Sequence, residues 1–383
     1  MKLIAKTFHG LEDVLAGELK EIGAQQIKTV NRAVEFEGDQ ELLYKANLLL
    51  RTAIRILIPI HHFTATNDQE LYDGVKQFDW SGIMNVDQTL AIDPVVFSEA
   101  FTHSLYVALK TKDAIVDQFR EKEGKRPSVD VENPNMRLVI HLSNDKATIS
   151  MDSSGESLHK RGYRVGMHKA PLNEVLAAGM VMLSGWDKKQ PLIDPMCGSG
   201  TILMEAVMYA RNYPPGLHKK TFGFMGWNDY DPALWNKIVE QAKEGITQPR
   251  LKIFGSDSDI KAIDIARESA LQFRLNRDIN FSLSSFERLE PHYPKGMIIM
   301  NPPYGERLMK DKDIIDFYRM IGNRLKRTFT GYDAWVLTSN KEALKNVGLK
   351  PLEKLKLFNG SLECGFHKFN LYDGTIKKII KFR

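Results

Sequence analysis

Cysteine is nearly missing from this chain. There are two in 383 residues, Cys197 and Cys364, too few and too far apart for a disulfide framework or a zinc-ligand pattern. That usage fits a reducing compartment, and a cytoplasmic location is the expectation. Also missing is any run of the roughly 18 to 20 apolar residues that a spanning helix needs, so no membrane association is expected. The opening MKLIAKTFHGLEDVLAGELK turns polar within a few residues. It has neither the apolar core nor the small-residue cleavage site of a secretory signal, which argues against export. His61 and His62 stand without partners at metal-ligand spacing, so they read as surface or structural residues and no metal is expected. No G-x-G-x-x-G occurs, and no Lys-Ser or Lys-Thr follows a glycine turn as a phosphate loop requires. The chain shows no internal repeat and no low-complexity tract, and carries no signal for an oligomeric state.

What is present is a globular composition, 43% hydrophobic and 26% charged, in a chain long enough for two or three domains. A formal charge of +5 allows a polyanionic partner without requiring one. Residues 1–60 read as a small α/β unit: a strand in LIAKTF, a helix with apolar Leu11, Val14, Leu15, Leu19 and Ile22, Gly23 as its C-cap, a strand near Arg32–Glu37 and a helix over Glu41–Leu50. Residues 61–156 read as a second unit. AIRILIPI leads in as a strand, followed by a helix from about Asn67, a strand in TLAIDPVVF, a helix over Ser104–Phe119, and strands in SVDVENP and RLVIHLSNDKATISMD.

A Gly/Ser-containing basic linker follows over residues 157–170, with Lys160, Arg161, Arg164, His168 and Lys169. It would stand as a solvated connector or suit a phosphate backbone. From 171 to 383 a helix (LNEVLAAGMVMLSG), a strand (QPLIDP), a glycine turn, a helix (TILMEAVMYA) and further strands at Leu251–Gly255 and Lys295–Met300, separated by a helix over Ile260–Asn276, repeat the pattern of a doubly wound parallel sheet.

Three segments carry chemistry. Leu192–Thr201 runs an apolar strand through Asp194, Pro195, Met196, Cys197, Gly198, Ser199 and Gly200 into a helix starting at Thr201. Glycines let a ligand approach the backbone and the helix start offers free N–H groups, so a nucleotide-like ligand without a pyrophosphate fits there. Phe254–Asp259 places Asp257 and Ser258 at the end of the next strand, where a carboxylate meets a ribose or caps the following helix. Ile298–Arg307 ends a strand in Asn301, Pro302, Pro303 and Tyr304. Two prolines stop the ladder and stiffen the exit. The Asn301 amide oxygen and the Pro302 carbonyl can then accept the N–H bonds of an exocyclic base amine, turning its lone pair outward, while Tyr304 stacks on an extruded base. Cys197 sits inside the glycine turn and reads as pocket lining rather than as a nucleophile. Phe317, Met320, Ile321 and Leu325 read as core.

Asp194-Pro-x-Cys-Gly-Ser-Gly-Thr201 followed by Asn301-Pro-Pro-Tyr304 resembles the amino-methyltransferases that use S-adenosylmethionine. Ser157-Leu-His-Lys-Arg-Gly-Tyr-Arg164 and Ala170-Pro-Leu-Asn-Glu174 narrow the resemblance to the THUMP-containing ribosomal RNA guanine-N2 methyltransferases, over nearly the whole chain. The resemblance implies an α/β fold, a Rossmann-like methyltransferase domain preceded by ferredoxin-like and THUMP units. It implies that Asp194, Cys197, Gly198 and Gly200 shape the methionine pocket, that Asp257 holds the ribose, and that Asn301–Tyr304 form the catalytic loop. Where many relatives place an acidic residue for the adenine, this chain has Ser285 and Phe286, so backbone groups and Phe286 would take that part. The expected activity is direct methyl transfer from S-adenosylmethionine to the N2 amine of a guanosine in large-subunit ribosomal RNA, with structured RNA as partner. Because Asn-Pro-Pro-Tyr serves any planar amine, an adenine-N6 or a protein-glutamine methyltransferase remain open, as does a non-catalytic RNA-binding assembly factor.

Overall fold

The computed structural model describes residues 1–166, 172–305 and 311–372; His168, Lys169, Ala170, Glu306 and Arg307 lie outside them. The chain divides into two compact units, the first made of Met1–Thr7, Leu15–Lys160 and Gly216–Gln241, the second of Phe8–Val14, Arg161–Pro215 and Ala242 onward. Among the described residues no helix is long and apolar enough to cross a membrane.

The first unit is built on one eight-stranded sheet. Its strands are β1 (Lys2–Lys6), β2 (Gln25–Val30), β3 (Ala33–Glu37), β4 (Arg55–Thr64), β5 (Thr89–Phe97), β6 (Ser128–Val129), β7 (Met136–Ser143) and β8 (Lys146–Asp152), in the order β2-β3-β1-β4-β8-β7-β5-β6. β1 pairs antiparallel with β3 and β4, and β4 then pairs with β8, so the strands on either side of β4 form a single sheet. The register of β4 slips between Pro59 and His61, where proline has no N–H to donate and a bulge absorbs the gap. β2 does not stand out in the sequence. Its six residues are exposed or half-buried, so no alternation marks this edge strand.

The helices of this unit are α1 (Glu12–Glu21), whose first turn belongs to the second unit, α2 (Gln40–Leu49), α3 (Asp68–Lys76) and α4 (Ser104–Glu123). Side chains of Asp39 and Asn67 cap α2 and α3, and Gly124 at φ +69 ends α4. The segment Gly216–Gln241 also packs here. Tyr44 of α2 stacks on Phe224 with centroids 4.4 Å apart and meets Trp235 edge-on at 5.9 Å, and the backbone N–H of Asp231 donates to the Tyr44 hydroxyl at 3.0 Å.

The second unit carries a seven-stranded sheet of β9 (Leu192–Asp194), β10 (Ile253–Asp257), β11 (Ile279–Leu283), β12 (Gly296–Met300), β13 (Tyr332–Thr338), β14 (Glu353–Asn359) and β15 (Leu362–Asn370), in the order β11-β10-β9-β12-β13-β15-β14. The first five are parallel, and β15 runs antiparallel to β13 and to β14. β9 and β12 are buried at every residue, as strands covered on both faces must be. Its helices are α5 (Glu174–Leu183), α6 (Thr201–Ala210), α7 (Pro232–Glu244), which begins in the first unit, α8 (Ile260–Gln272), α9 (Asp311–Thr328) and α10 (Lys341–Lys345). α9 lays Ile314, Tyr318, Ile321 and Leu325 on one stripe, all buried in a core cluster with Ile298, Met300, Ala334 and Val336, which is the helical spacing of a core-facing side. The strand order reverses at β9: the chain passes from there to β10 and β11 on one side and returns to β12 on the other. That switch point opens a crevice at the C-terminal strand ends.

Candidate active site

Three parallel strands bring their C-terminal ends to this crevice: β9 ends at Asp194, β10 at Asp257, and β12 at Met300, just before Asn301. After β9 the turn is held from below. The N–H of Cys197 donates to the Ser256 carbonyl at 2.9 Å, and that of Gly200 to the Cys197 carbonyl at 2.8 Å. The Ser256 hydroxyl donates to the Pro195 carbonyl at 3.3 Å. Gly198 and Gly200 have φ of +52° and +80°, a region that other residues enter only at a cost. At Gly200 an added Cβ would come within 3.2 Å of Ala266 and Phe281, whereas at Gly198 it would meet nothing within 4 Å.

Asp257 links the two strand ends. One carboxylate oxygen accepts from the Gly198 N–H at 2.9 Å and the other from the Asp259 N–H at 3.0 Å. Each oxygen keeps a lone pair for a further donor. The capping of α8 falls to Asp259, whose side chain accepts from the Lys261 N–H, so Asp257 is not the helix cap. Asp194 is 1% exposed, accepts from the Met196 N–H at 3.2 Å, and is pushed up to about 8, by burial first and then by the neighbouring Asp257 charge. The Cys197 thiol is driven well above its ordinary value by burial and by both aspartates. It stays protonated at neutral pH, which suits a lining group and not a nucleophile.

Ser258 is exposed and Ser285 half-buried at the ends of β10 and β11. The Phe286 ring is 2% exposed and stacks on Phe329 with centroids 5.5 Å apart. It is a core residue.

The Asn301–Tyr304 loop is gripped by side chains that sequence reasoning did not single out. The Tyr304 hydroxyl donates to Asn301 Oδ1 at 2.5 Å, and the Cys364 thiol from β15 lies 3.9 Å from that hydroxyl. Burial, then the thiol, holds the Tyr304 phenol far above its ordinary range. Tyr318 of α9 donates to the Pro303 carbonyl at 3.3 Å, and Asn340 donates to the Tyr304 carbonyl at 3.0 Å. Thr-Ser-Asn at the end of β13 and Asn-Gly-x-x-x-Cys around the β14–β15 turn were the available signals, small polar residues at the C-terminal edge of the sheet.

The basic linker is also placed differently from expectation. Arg161 is 2% exposed with Nε 3.6 Å from Glu205, and Tyr163 donates to the same carboxylate at 3.0 Å. Arg164 donates to Glu174 at 2.6 Å and to the Leu172 carbonyl, with Thr201 Oγ1 at 3.5 Å. Arg161 is buried and Arg164 is half-buried, each held by a carboxylate. They anchor the linker to α5 and α6, the second of which starts in the glycine turn. Lys160 is exposed and pairs with Glu156.

Solved structures share this fold. A protein provisionally described as a methyltransferase and crystallised with S-adenosylhomocysteine superposes with TM-score 0.87 at 30% identity over 98% of this chain and 99% of that one. A Listeria monocytogenes protein, described as a predicted N6-adenine-specific DNA methylase, gives TM-score 0.86 at 30% identity, over 97% and 96% of the two chains. A Synechocystis sp. protein, provisionally named an RNA methyltransferase, is 39% identical over 369 residues, 96% of each chain. The fold and crevice are those of a Rossmann-like methyltransferase that uses S-adenosylmethionine. The residues fit that cofactor: the space in front of Gly198 is open where a Cβ would stand, and Asp257 retains acceptor capacity for hydroxyl donors. Residues 161–368 match the RMKL-like methyltransferase domain, residues 2–57 the RlmL ferredoxin-like domain and residues 65–152 the THUMP domain. The chain belongs to the RMKL-like methyltransferase family.

Proposed function

We propose that this protein methylates the exocyclic N2 amine of a guanosine in large-subunit ribosomal RNA. The observation that carries the reading is the position of Asn301-Pro-Pro-Tyr304 at the C-terminal end of β12, beside β9 and its glycine turn. S-adenosylmethionine, when bound, supplies a sulfonium methyl as electrophile. The chain's part is to hold and orient. Asp194 and the turn through Gly198 and Gly200 would hold the methionine end, and Asp257 the ribose hydroxyls, with Ser258 and Ser285 at the adenine. Asn301 Oδ1 and the Pro302 carbonyl would accept the two N–H groups of the amine, which frees its lone pair from the ring and aims it at the methyl. Tyr304 would stack on the base once it leaves its helix. Positioning of this kind can lower a barrier by several kcal/mol when the atoms stand at attack distance.

RNA as acceptor is supported by the THUMP match and by the name of the Synechocystis relative. An adenine-N6 acceptor is the second reading, favoured by the description of the Listeria relative. The test is transfer of labelled methyl to ribosomal RNA from cells lacking the protein, followed by nucleoside analysis. N2-methylguanosine is the expected product. N6-methyladenosine would replace the base, and label on protein alone would replace the substrate class. Asn301→Ala should abolish turnover with cofactor binding retained.

A further inference from the structure

Pro302 and Pro303 bring a difficulty with their rigidity. Neither has an N–H, so the loop cannot use those positions to pin itself to its surroundings. The peptide planes between Asn301 and Gly305 must be fixed by donors from elsewhere, and a rotation of any of them would turn the Pro302 carbonyl and the Asn301 side chain away from the acceptor.

Asn340 stands at the centre of the donors that do this. Its Nδ2 donates to the Tyr304 carbonyl at 3.0 Å. Its backbone N–H donates to Thr338 Oγ1 at 3.1 Å, Thr338 Oγ1 lies 2.7 Å from the Tyr318 hydroxyl, and that hydroxyl donates to the Pro303 carbonyl at 3.3 Å. A carbonyl can only accept and a hydroxyl has one proton to give, so the Tyr318 proton goes to Pro303 and the Thr338 proton goes to Tyr318. The relay has one direction, from the Asn340 N–H through Thr338 and Tyr318 to the loop. Tyr318 is fully buried and Thr338 is 2% exposed, so the bond between them is shielded from solvent, and burial holds the Tyr318 phenol well above its ordinary range. Two successive loop carbonyls are thereby held, one directly and one through the relay, from a single residue beyond the end of β13.

We propose that Asn340 and Tyr318 are positioning residues for methyl transfer: they fix the Pro303 and Tyr304 carbonyls so that Asn301 Oδ1 and the Pro302 carbonyl stay aimed at the acceptor amine. The inference rests on the reading of Asn301–Tyr304 as the catalytic loop. It predicts a loss in turnover and not in binding, because in that reading neither residue is assigned to the cofactor or to the base.

The substitution that isolates the role is Asn340→Asp. Asn340 Oδ1 also caps α10 by accepting from the Ala343 N–H at 2.8 Å. A carboxylate keeps that cap but has no donor for the Tyr304 carbonyl. With S-adenosylmethionine and ribosomal RNA from cells lacking the protein, Asn340→Asp should lower kcat about tenfold or more, the scale of a lost orienting bond in a buried site. KM for both substrates should stay within about twofold, and the thermal midpoint should hold. Tyr318→Phe should act in the same sense, and Thr338→Ser should retain kcat where Thr338→Val loses it. The double variant Asn340→Asp/Tyr318→Phe should fall short of the product of the single losses, because both act on one loop. Wild-type kcat in Asn340→Asp and Tyr318→Phe would overturn the proposal, as would losses matched by an equal fall in cofactor affinity or thermal midpoint, which mark a structural role. Asn301→Ala in parallel separates the two readings. If it retains activity, the catalytic loop itself is misassigned; if it is inactive while Asn340→Asp is normal, only the positioning role falls.

Discussion

The hydroxyl of Tyr304 donates to Oδ1 of Asn301, the oxygen that the proposed reaction needs for an N–H of the acceptor amine. The two demands are compatible because an amide oxygen accepts twice. Burial keeps the phenol protonated at physiological pH, so it retains the proton it donates to the amide oxygen. Tyr304 therefore has two separable parts, a ring for the base and a hydroxyl for Asn301. Tyr304→Phe should keep the affinity for RNA and lower kcat roughly fivefold, the scale of one net hydrogen bond of about 1 kcal/mol. Tyr304→Ala should in addition raise KM for RNA by about tenfold to a hundredfold, the worth of one stacked base. Steady-state kinetics on both variants checks this, and equal kcat in wild type and Tyr304→Phe would remove the hydroxyl from the argument.

Asp257 ties the Gly198 N–H to the end of β10, and both turn glycines have positive φ. Asp257→Ala should leave that N–H without its partner and remove the ribose acceptor together. The expected loss is about 2 kcal/mol or more, thirtyfold or greater in the dissociation constant of S-adenosylmethionine by calorimetry. Gly200→Ala should weaken the same binding, because the added methyl meets Ala266 and Phe281 at 3.2 Å in a backbone conformation that alanine avoids. If both variants bind the cofactor normally, it does not sit on this turn.

How much of this was legible follows from where the information sits. The glycine turn, Asp257 and Asn301–Tyr304 are each local, a few adjacent residues after an apolar strand, and the parallel strands β9 and β12 announce themselves as continuous apolar runs. Tyr318, Asn340 and Cys364 act on the loop from three further elements, and no local pattern says that they converge. Phe286 and Arg161 misled for a related reason. An aromatic after a strand and a guanidinium in a Gly-rich linker look available, yet Phe329 and Glu205 wait for them far along the chain. The packing of Gly216–Gln241 on α2 was equally hidden, since an aromatic cluster does not name its partner. β2 and β11 were passed over because edge strands with exposed residues lose the burial alternation on which the reading depends.

Burial, then the Asp257 charge, pushes the Asp194 carboxyl up to about 8. Its folded value lies above the unfolded one, so the folded state binds the extra proton between about pH 4 and pH 8. Stability contributed by the protonated acid is full below the unfolded value and is lost as pH rises toward 8. The slope from this group approaches about 1.4 kcal/mol per pH unit inside that window. Thermal unfolding of the cofactor-free protein at pH 5.5 and pH 8 should therefore show a larger fall for wild type than for Asp194→Asn, which keeps the acceptor for the Met196 N–H but has no proton to lose. Parallel curves for the two proteins would mean that the carboxyl is already ionised at the lower pH.

Arg164 decides whether the basic linker touches RNA or supports the cofactor turn. Its guanidinium is shared among Glu174, the Leu172 carbonyl and Thr201, and Glu174 is 5% exposed. Arg164→Ala leaves that buried carboxylate without its cation, which should lower stability by about 1–3 kcal/mol and weaken S-adenosylmethionine binding through the displaced start of α6. A side chain on a phosphate behaves otherwise. Its removal flattens the dependence of log K on log salt concentration by about 0.7 to 0.9. For Arg164→Ala the salt slope of RNA binding should equal that of wild type, measured by titration at a series of salt concentrations. A flatter slope with unchanged thermal stability would place the guanidinium on the nucleic acid, and the ion pair with Glu174 would then be a resting arrangement that RNA displaces.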